Sequence, residues 1–327
     1  MSETAALAAR ELSALSRGIG DVHRAISGRV FGALGPVAAP VRLVHDAIAG
    51  GVYSTVSGGL RLTALAPLPE LPETLLAALN GLIGDTLDEP LAIPTTVRRV
   101  GEPATPRLAV FIHGLGETEY AWGAPSYGER LHQDLAITPV YVRYNSGRSI
   151  ADSGASLAAL LDEVVAGWPV EVEQIALIGH SMGALVARSA SAHGGLWTGL
   201  VRHTISLGAP YSGAPLEQAV HALAATLALA PETRPFARFL RRRSAGIRDL
   251  RRGLDMPPLD GAAHHFVAAT VTRSAKHPVG RMVGDTLVLA RSASVGFEET
   301  SGLALGGAHH FALLNHPEVY DRLRSWL

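Results

Sequence analysis

From Arg107 onward, short apolar runs alternate with stretches able to form helices, and this rhythm constrains the fold more than any other feature of the chain. The runs are LAVFIHG (108–114), PVYVRYN (139–145), QIALIGH (174–180) and HTISLGAP (203–210), with HFVAATVT (265–272) further on. LAVFIHG is a continuous apolar run ending in glycine, as buried strands of parallel sheets are. Between them lie SYGERLHQDLA, then ADSGASLAALLDEVVAGW with Leu157, Leu160, Leu161, Val164 and Val165 on one helical face, then SMGALVARSASAH. Strands alternating with helices of ten or more residues predict βαβ units and a doubly wound, mostly parallel sheet. Ligands of such sheets collect beyond the carboxyl ends of the strands.

Composition narrows the classes. The chain is 47% hydrophobic and 17% charged with a formal net charge of −1, a core-forming balance with no excess of basic charge for a nucleic-acid partner. It has no cysteine, which excludes disulfides, thiolate zinc sites and a cysteine nucleophile. The first residues, MSETAALAARELSALSR, lack a basic segment leading into an apolar run, and no window of about 18 uncharged apolar residues occurs. A cytoplasmic location is the expectation.

Residues 1–100 have a different texture. They are rich in Ala, Gly, Leu and Val and run in helix-like blocks broken by Gly and Pro. HDAIAGGVYSTVSGGLRL puts Ala47, Gly51, Ser54 and Gly58 at helical spacing, which lets another helix approach closely. The expectation is a helical extension laid on the main domain, with peripheral membrane contact or self-association as the other readings. PLAIPTTVRRVGEPATP is proline punctuation and marks the join. The expected organisation is an extension over 1–100 and a second domain over 101–327, with an insertion at about 213–262.

The chemistry centres on G-H-S-M-G at 179–183. In a chain with 35 glycines the pentapeptide means little alone, but its context is specific. Ser181 follows the run IALIG and opens a helix carrying Ala184, Leu185, Val186 and Ala187, the strand–turn–helix frame of a nucleophile elbow. Gly179 and Gly183 leave room for the tight turn. The competing reading is an ordinary N-cap serine.

A serine nucleophile needs a base, an acid to orient it, and N–H donors for the oxyanion. FIHGLGETEYAW supplies a Gly-rich turn after an early strand, so Leu115 N–H is the expected donor, with Gly116 as the alternative, paired with Met182 N–H. His113 precedes the serine and is read as a brace for that loop. The base comes from GGAHHFALLNHPEVY, where His310 before Phe311 fits best, His309 competes, and His316 sits where it would cap the last helix. The acid is Asp285 in Gly-Asp-Thr-Leu-Val, since Asp249, Asp255 and Asp260 precede the HFVAATVT strand, and Glu298 and Glu299 are outsiders. The order Ser181, Asp285, His310 is that of α/β-hydrolases rather than of chymotrypsin- or subtilisin-type chains.

HGLGETEYAW, VRYNSGRSI, WPVEVEQIALIGHSMGALVARSA, SLGAPYSGAPLE and HHFALLNHPEVY, in that order, resemble the lipase and esterase side of the α/β-hydrolase superfamily, in particular its actinobacterial-type, GPI-inositol-deacylase-like branch. The resemblance spans about residues 107–327. It implies an α/β-hydrolase fold with a helical cap insertion and a Ser–Asp–His esterase or lipase that needs no cofactor. It carries over Ser181, Asp285, His310 and the Leu115/Met182 pair. The chain reads GHSMGA where such proteins commonly read GHSMGG, and Ala184 is small enough to leave the turn unaltered.

The expected reaction is hydrolysis of a carboxylic ester with an apolar acyl group, small-molecule or lipid, through an acyl-enzyme on Ser181. An acyltransferase or thioesterase would use the same triad, and a non-catalytic lipid- or protein-binding module is the reading from another class. No metal site is expected, because the 14 histidines form no H-E-x-x-H or comparable cluster. Within the insertion, AVHALAATLALA reads as an apolar helix. Arg238, Arg241, Arg242, Arg243, Arg248, Arg251 and Arg252 read either as a lid facing anionic groups or as a solvated face paired in part with Asp249 and Asp255.

Overall fold

The computed structural model describes residues 72–87, 91–213, 244–275, 277, 284–285, 287–288 and 302–327. The chain divides into two compact units, Met1–Ala78 with Val220–Arg242, and Leu79–Ala219 with Arg243–Leu327. Of the first, the described residues are 72–78, which begin helix α1 (Glu73–Ile83). The expected N-terminal extension up to residue 71 and the apolar helix of the insertion (214–243) lie outside the described residues, as do Arg238, Arg241, Arg242, Arg243, Glu298 and Glu299.

Among the described residues, the second unit is built on a seven-stranded sheet ordered β1-β3-β2-β4-β5-β6-β7. The strands are β1 (Thr96–Arg99), β2 (Arg107–Ile112), β3 (Thr138–Arg143), β4 (Gln174–His180), β5 (Val201–Leu207), β6 (Ala263–Thr270) and β7 (Gly302–Gly306). Only β1 is antiparallel to its neighbour, β3; the other pairs are parallel. The doubly wound, mostly parallel sheet expected from the alternation is therefore present. β1 stands upstream of residue 101, where the sequence places the start of the second domain. TVRR is short and half-exposed, an edge strand whose pattern carries no apolar run to read.

Both faces of the central strands are covered, which is why they read as unbroken apolar runs. Successive residues of β2 enter opposite layers. Leu108, Val110 and Ile112 pack with Leu157 and Leu161 of α3 (Ile150–Ala166) and Leu185 and Val186 of α4 (Met182–His193). Ala109 and Phe111 pack on the other side with Tyr127 and Leu131 of α2 (Tyr127–Leu135) and Val319, Tyr320 and Leu323 of α6 (Pro317–Trp326).

Local signals set the helix starts. Ser126 and Glu129 form a reciprocal capping box on α2: Ser126 Oγ accepts from Glu129 N–H, and Glu129 Oε2 accepts from Ser126 N–H (2.7 Å). Ser149 caps α3 through Asp152 N–H. His316 caps α6, its side chain accepting from Glu318 N–H, so the capping role read from the sequence is what the structure shows.

The described end of the insertion contains α5 (Ala245–Arg252) and is stitched to the sheet domain. Ser244 Oγ–H donates to the Gly81 carbonyl (2.6 Å), Asp249 Oδ2 accepts from Ile150 N–H (2.9 Å), and Arg248 pairs with Asp85 (3.3 Å). One of the two sequence readings pairs the arginines in part with Asp249 and Asp255. Asp249 instead takes a backbone partner at the start of α3, because the chain returns here beside Gly147, whose carbonyl accepts from Gly246 N–H. Among the described residues no helix is long and apolar enough to cross a membrane.

Topology places the site. β2 lies between β3 and β4, so the chain leaves β2 to one side and returns on the other. The crevice this opens at the carboxyl ends of β2 and β4 is a switch point, where doubly wound sheets take ligands. His113-Gly114 and Ser181 sit at those two ends.

Candidate active site

Ser181 is the single residue between β4 and α4, and the turn imposes a backbone of φ 50°, ψ −121°. Apart from Ala136 at a helix end, it is the one non-glycine residue at positive φ among the described residues. A side chain there costs about 1–3 kcal/mol, a strain that clusters at functional sites. Two neighbours must be glycine for the turn to close. A Cβ at Gly179 would lie 2.4 Å from the Ala184 backbone, and one at Gly183 would lie 2.2 Å from the Ile112 carbonyl oxygen. The Ser181 side chain makes no cap hydrogen bond, which removes the N-cap reading. Its N–H donates to the Leu207 carbonyl (2.8 Å), tying the elbow to the end of β5.

Asp285 and His310 meet from the loops that follow β6 and β7. His310 Nδ1–H donates to Asp285 Oδ2 (2.7 Å), and His310 N–H donates to the Asp285 carbonyl (3.1 Å). Both residues are buried. The other carboxylate oxygen accepts from Leu287 N–H (3.0 Å) and Val288 N–H (2.8 Å), so the carboxylate is fixed in one orientation. Burial pushes the His310 pKa down, but the charge and hydrogen bond of Asp285, with Glu117 adding its charge, carry it above the ordinary histidine value. The imidazole lies against Gly208, next to the Leu207 carbonyl that holds Ser181. Ser181 Oγ makes no hydrogen bond among the described residues, so the serine–histidine contact is not closed. His309, the competitor from sequence, turns a buried Nδ1 with no partner and stays off the carboxylate.

The loop after β2 is held at three successive points. His113 Nδ1–H donates to the Gly114 carbonyl (2.9 Å), and Tyr144 N–H reaches His113 Nε2 (3.4 Å) while the two rings stack at 4.3 Å. Burial lowers the His113 pKa, keeping the ring neutral as this bonding requires. The bracing role read for His113 is the one it has. Gly114 N–H donates to Glu117 Oε2 (2.6 Å), and Gly116 N–H donates to Ser146 Oγ (2.9 Å). The Gly116 alternative for the oxyanion donor is thereby occupied. Leu115 N–H and Met182 N–H have no hydrogen-bond partner among the described residues.

Three residues of this region carry no signal in the sequence: Glu117, Ser146 and His180. His180, the variable position of the elbow motif, is fully buried, with its ring 4.8 Å from that of His310. Beyond the loop, Glu119 is clamped by Arg143 (3.1 Å to each carboxylate oxygen), and Trp122 packs edge-on against Phe111. Their spacing in GETEYAW resembles that of an ordinary polar turn. Among the described residues no group of three or more His, Asp or Glu is placed to hold a metal ion.

Comparison with known proteins agrees with this architecture. The family model described as a PGAP1-like alpha/beta domain matches residues 146–234. Lipase BlEst2 of Bacillus licheniformis in its mature form superposes with a TM-score of 0.51 at 19% identity, over 71% of this chain and 97% of that one. Its propeptide form gives 0.52 at 20% identity, over 71% of this chain and 53% of that one. A lipase-esterase related protein from Clostridium acetobutylicum follows with a TM-score of 0.46 at 14% identity, over 71% of this chain and 99% of that one. No curated protein matches the chain in sequence. The chain has the α/β-hydrolase fold, as the order of its motifs implied.

Proposed function

We propose that this α/β-hydrolase-fold chain is a serine hydrolase that cleaves carboxylic esters through an acyl-enzyme on Ser181. The observation that carries the reading is the strained backbone of Ser181, a cost that makes sense where a hydroxyl must stand clear at the tip of the elbow. Ser181 Oγ attacks the ester carbonyl carbon as His310 Nε2 takes its proton. Asp285 holds the opposite ring nitrogen, fixing the tautomer and stabilising the imidazolium. Leu115 N–H and Met182 N–H receive the negative charge on the former carbonyl oxygen. The tetrahedral adduct collapses, His310 returns its proton to the leaving alkoxide oxygen, and the alcohol departs. Water, deprotonated by His310, then releases the acid and regenerates Ser181. The Ser181–His310 hydrogen bond closes when substrate enters, since such contacts are often long in the free enzyme.

An apolar acyl group suits the side chains beside the site, Leu115 and Phe311, the latter 45% exposed. The test is labelling by a fluorophosphonate probe with intact-mass detection. Wild type should gain one adduct that is absent in Ser181→Ala and much slower in His310→Ala. A folded wild type that takes no label, and does not turn over p-nitrophenyl acetate, would sink the reading in favour of a binding module. Product analysis with an added alcohol, or with acyl-CoA as donor, tells hydrolysis from acyl transfer and thioester cleavage.

A further inference from the structure

We infer that Glu117 is a positioning residue for the reaction: its carboxylate clamps the loop after β2 to the turn after β4 and so aims the Leu115 N–H at the site. This rests on the reading of Ser181 as the nucleophile. Glu117 Oε2 accepts from Gly114 N–H (2.6 Å) and from His180 Nδ1–H (3.1 Å), joining residues that flank the two halves of the site. The side chain is only 10% exposed. Gly114 marks the meeting point, since a Cβ built there would lie 3.0 Å from Glu117 Oε2, 3.2 Å from His180 Nδ1 and 3.2 Å from Ser181 Cβ.

The direction of the Leu115 N–H follows from what surrounds it. A trans peptide sets its N–H opposite its C=O. The Gly114 carbonyl is held by His113 Nδ1–H, the preceding N–H by Glu117, and the following N–H by Ser146 Oγ. Three fixed points thus bracket one peptide whose N–H is unpartnered among the described residues. His180 carries the clamp onward, its Nε2 lying 3.4 Å from the His310 carbonyl oxygen. Burial pushes the Glu117 pKa up, but His180 and the Gly114 N–H overcome this and hold it at about 2, so the clamp is ionised over the working range. Among the described residues, the charged or titratable groups facing His310 are Asp285 on Nδ1, the His180 ring at 4.8 Å, and Glu117 behind it.

The experiment compares wild type, E117Q and E117A by fluorophosphonate labelling and by the pH dependence of ester hydrolysis. E117Q keeps the shape and, on one oxygen, an acceptor for both Gly114 N–H and His180 Nδ1–H, but removes the negative charge that strengthens these bonds. It is expected to lower kcat on the order of tenfold, and E117A on the order of a hundredfold, with KM within about threefold of wild type. Glu117 raises the His310 pKa, so the acid limb of kcat/KM should move to lower pH in both variants. E117Q combined with H180N should cost less than the two single changes together. Wild-type kcat and an unmoved pH profile in E117Q would overturn the inference, and so would a rise in KM alone. If E117A fails to fold, the isosteric E117Q decides. Absence of label on wild-type Ser181 is a different failure and removes the nucleophile reading itself.

Discussion

His310 hangs from Asp285 by two hydrogen bonds, one from the imidazole Nδ1–H to the carboxylate and one from the backbone N–H to the backbone carbonyl. Asp285 therefore positions the loop that carries His310 as well as the ring itself. Its second oxygen is spent on two backbone donors, leaving the carboxylate no freedom to turn away.

Asp285→Asn should leave the backbone bond in place while presenting an amide to the ring. A fall in kcat of about 10³–10⁴ is expected, since the wrong tautomer is then favoured. In the proposed mechanism His310 works when neutral, so wild-type kcat/KM should rise with pH through an apparent pKa above the ordinary histidine value of 6.5. In the variant that limb moves to lower pH. A pH–rate profile of residual activity checks both.

Ser181→Gly and Ser181→Ala should both abolish turnover but differ in stability. Alanine keeps a Cβ at φ 50° and glycine does not. Glycine also frees the unfolded chain, which offsets part of the relief. S181G is expected to be the more stable of the two by about 1 kcal/mol, read from urea denaturation midpoints.

Gly183→Ala drives a methyl group into the Ile112 and His113 carbonyl oxygens, at 2.2 and 2.5 Å. These belong to the end of β2 and the loop that follows, so the sheet cannot yield locally. A loss of about 3 kcal/mol is expected in chemical denaturation, at the upper end of overpacking costs.

The folded-state pKa of Glu117, about 2 against an ordinary 4.5, links it to acid stability. A depressed carboxyl pKa stabilises the fold fully above 4.5, and the contribution is lost as pH falls through about 2. The stability difference between wild type and E117Q should be constant near neutrality and close within that window. Denaturation series at several pH values measure it.

The sequence by itself determined the parallel sheet, the elbow and the order of Ser181, Asp285 and His310. Each of these is written locally: an apolar run announces a strand buried on both faces, and glycines at 179 and 183 announce a turn too tight for side chains. It left Leu115 and Gly116 as rival donors and His309 beside His310, because neighbours in a loop share one local pattern. Only the tertiary structure gives them different partners. Ser146, arriving at the end of β3, takes the Gly116 N–H, and Asp285, arriving after β6, meets His310 rather than His309. Glu117 and His180 stayed silent for the same reason. A polar residue in a turn looks solvated until the fold brings a buried imidazole against it from 63 residues away. β1 escaped as well, because an edge strand with one covered face needs its partner before it reads as a strand at all. Local periodicity records what a segment will bury, whereas hydrogen-bond partners distant in sequence exist only once the sheet has set their register.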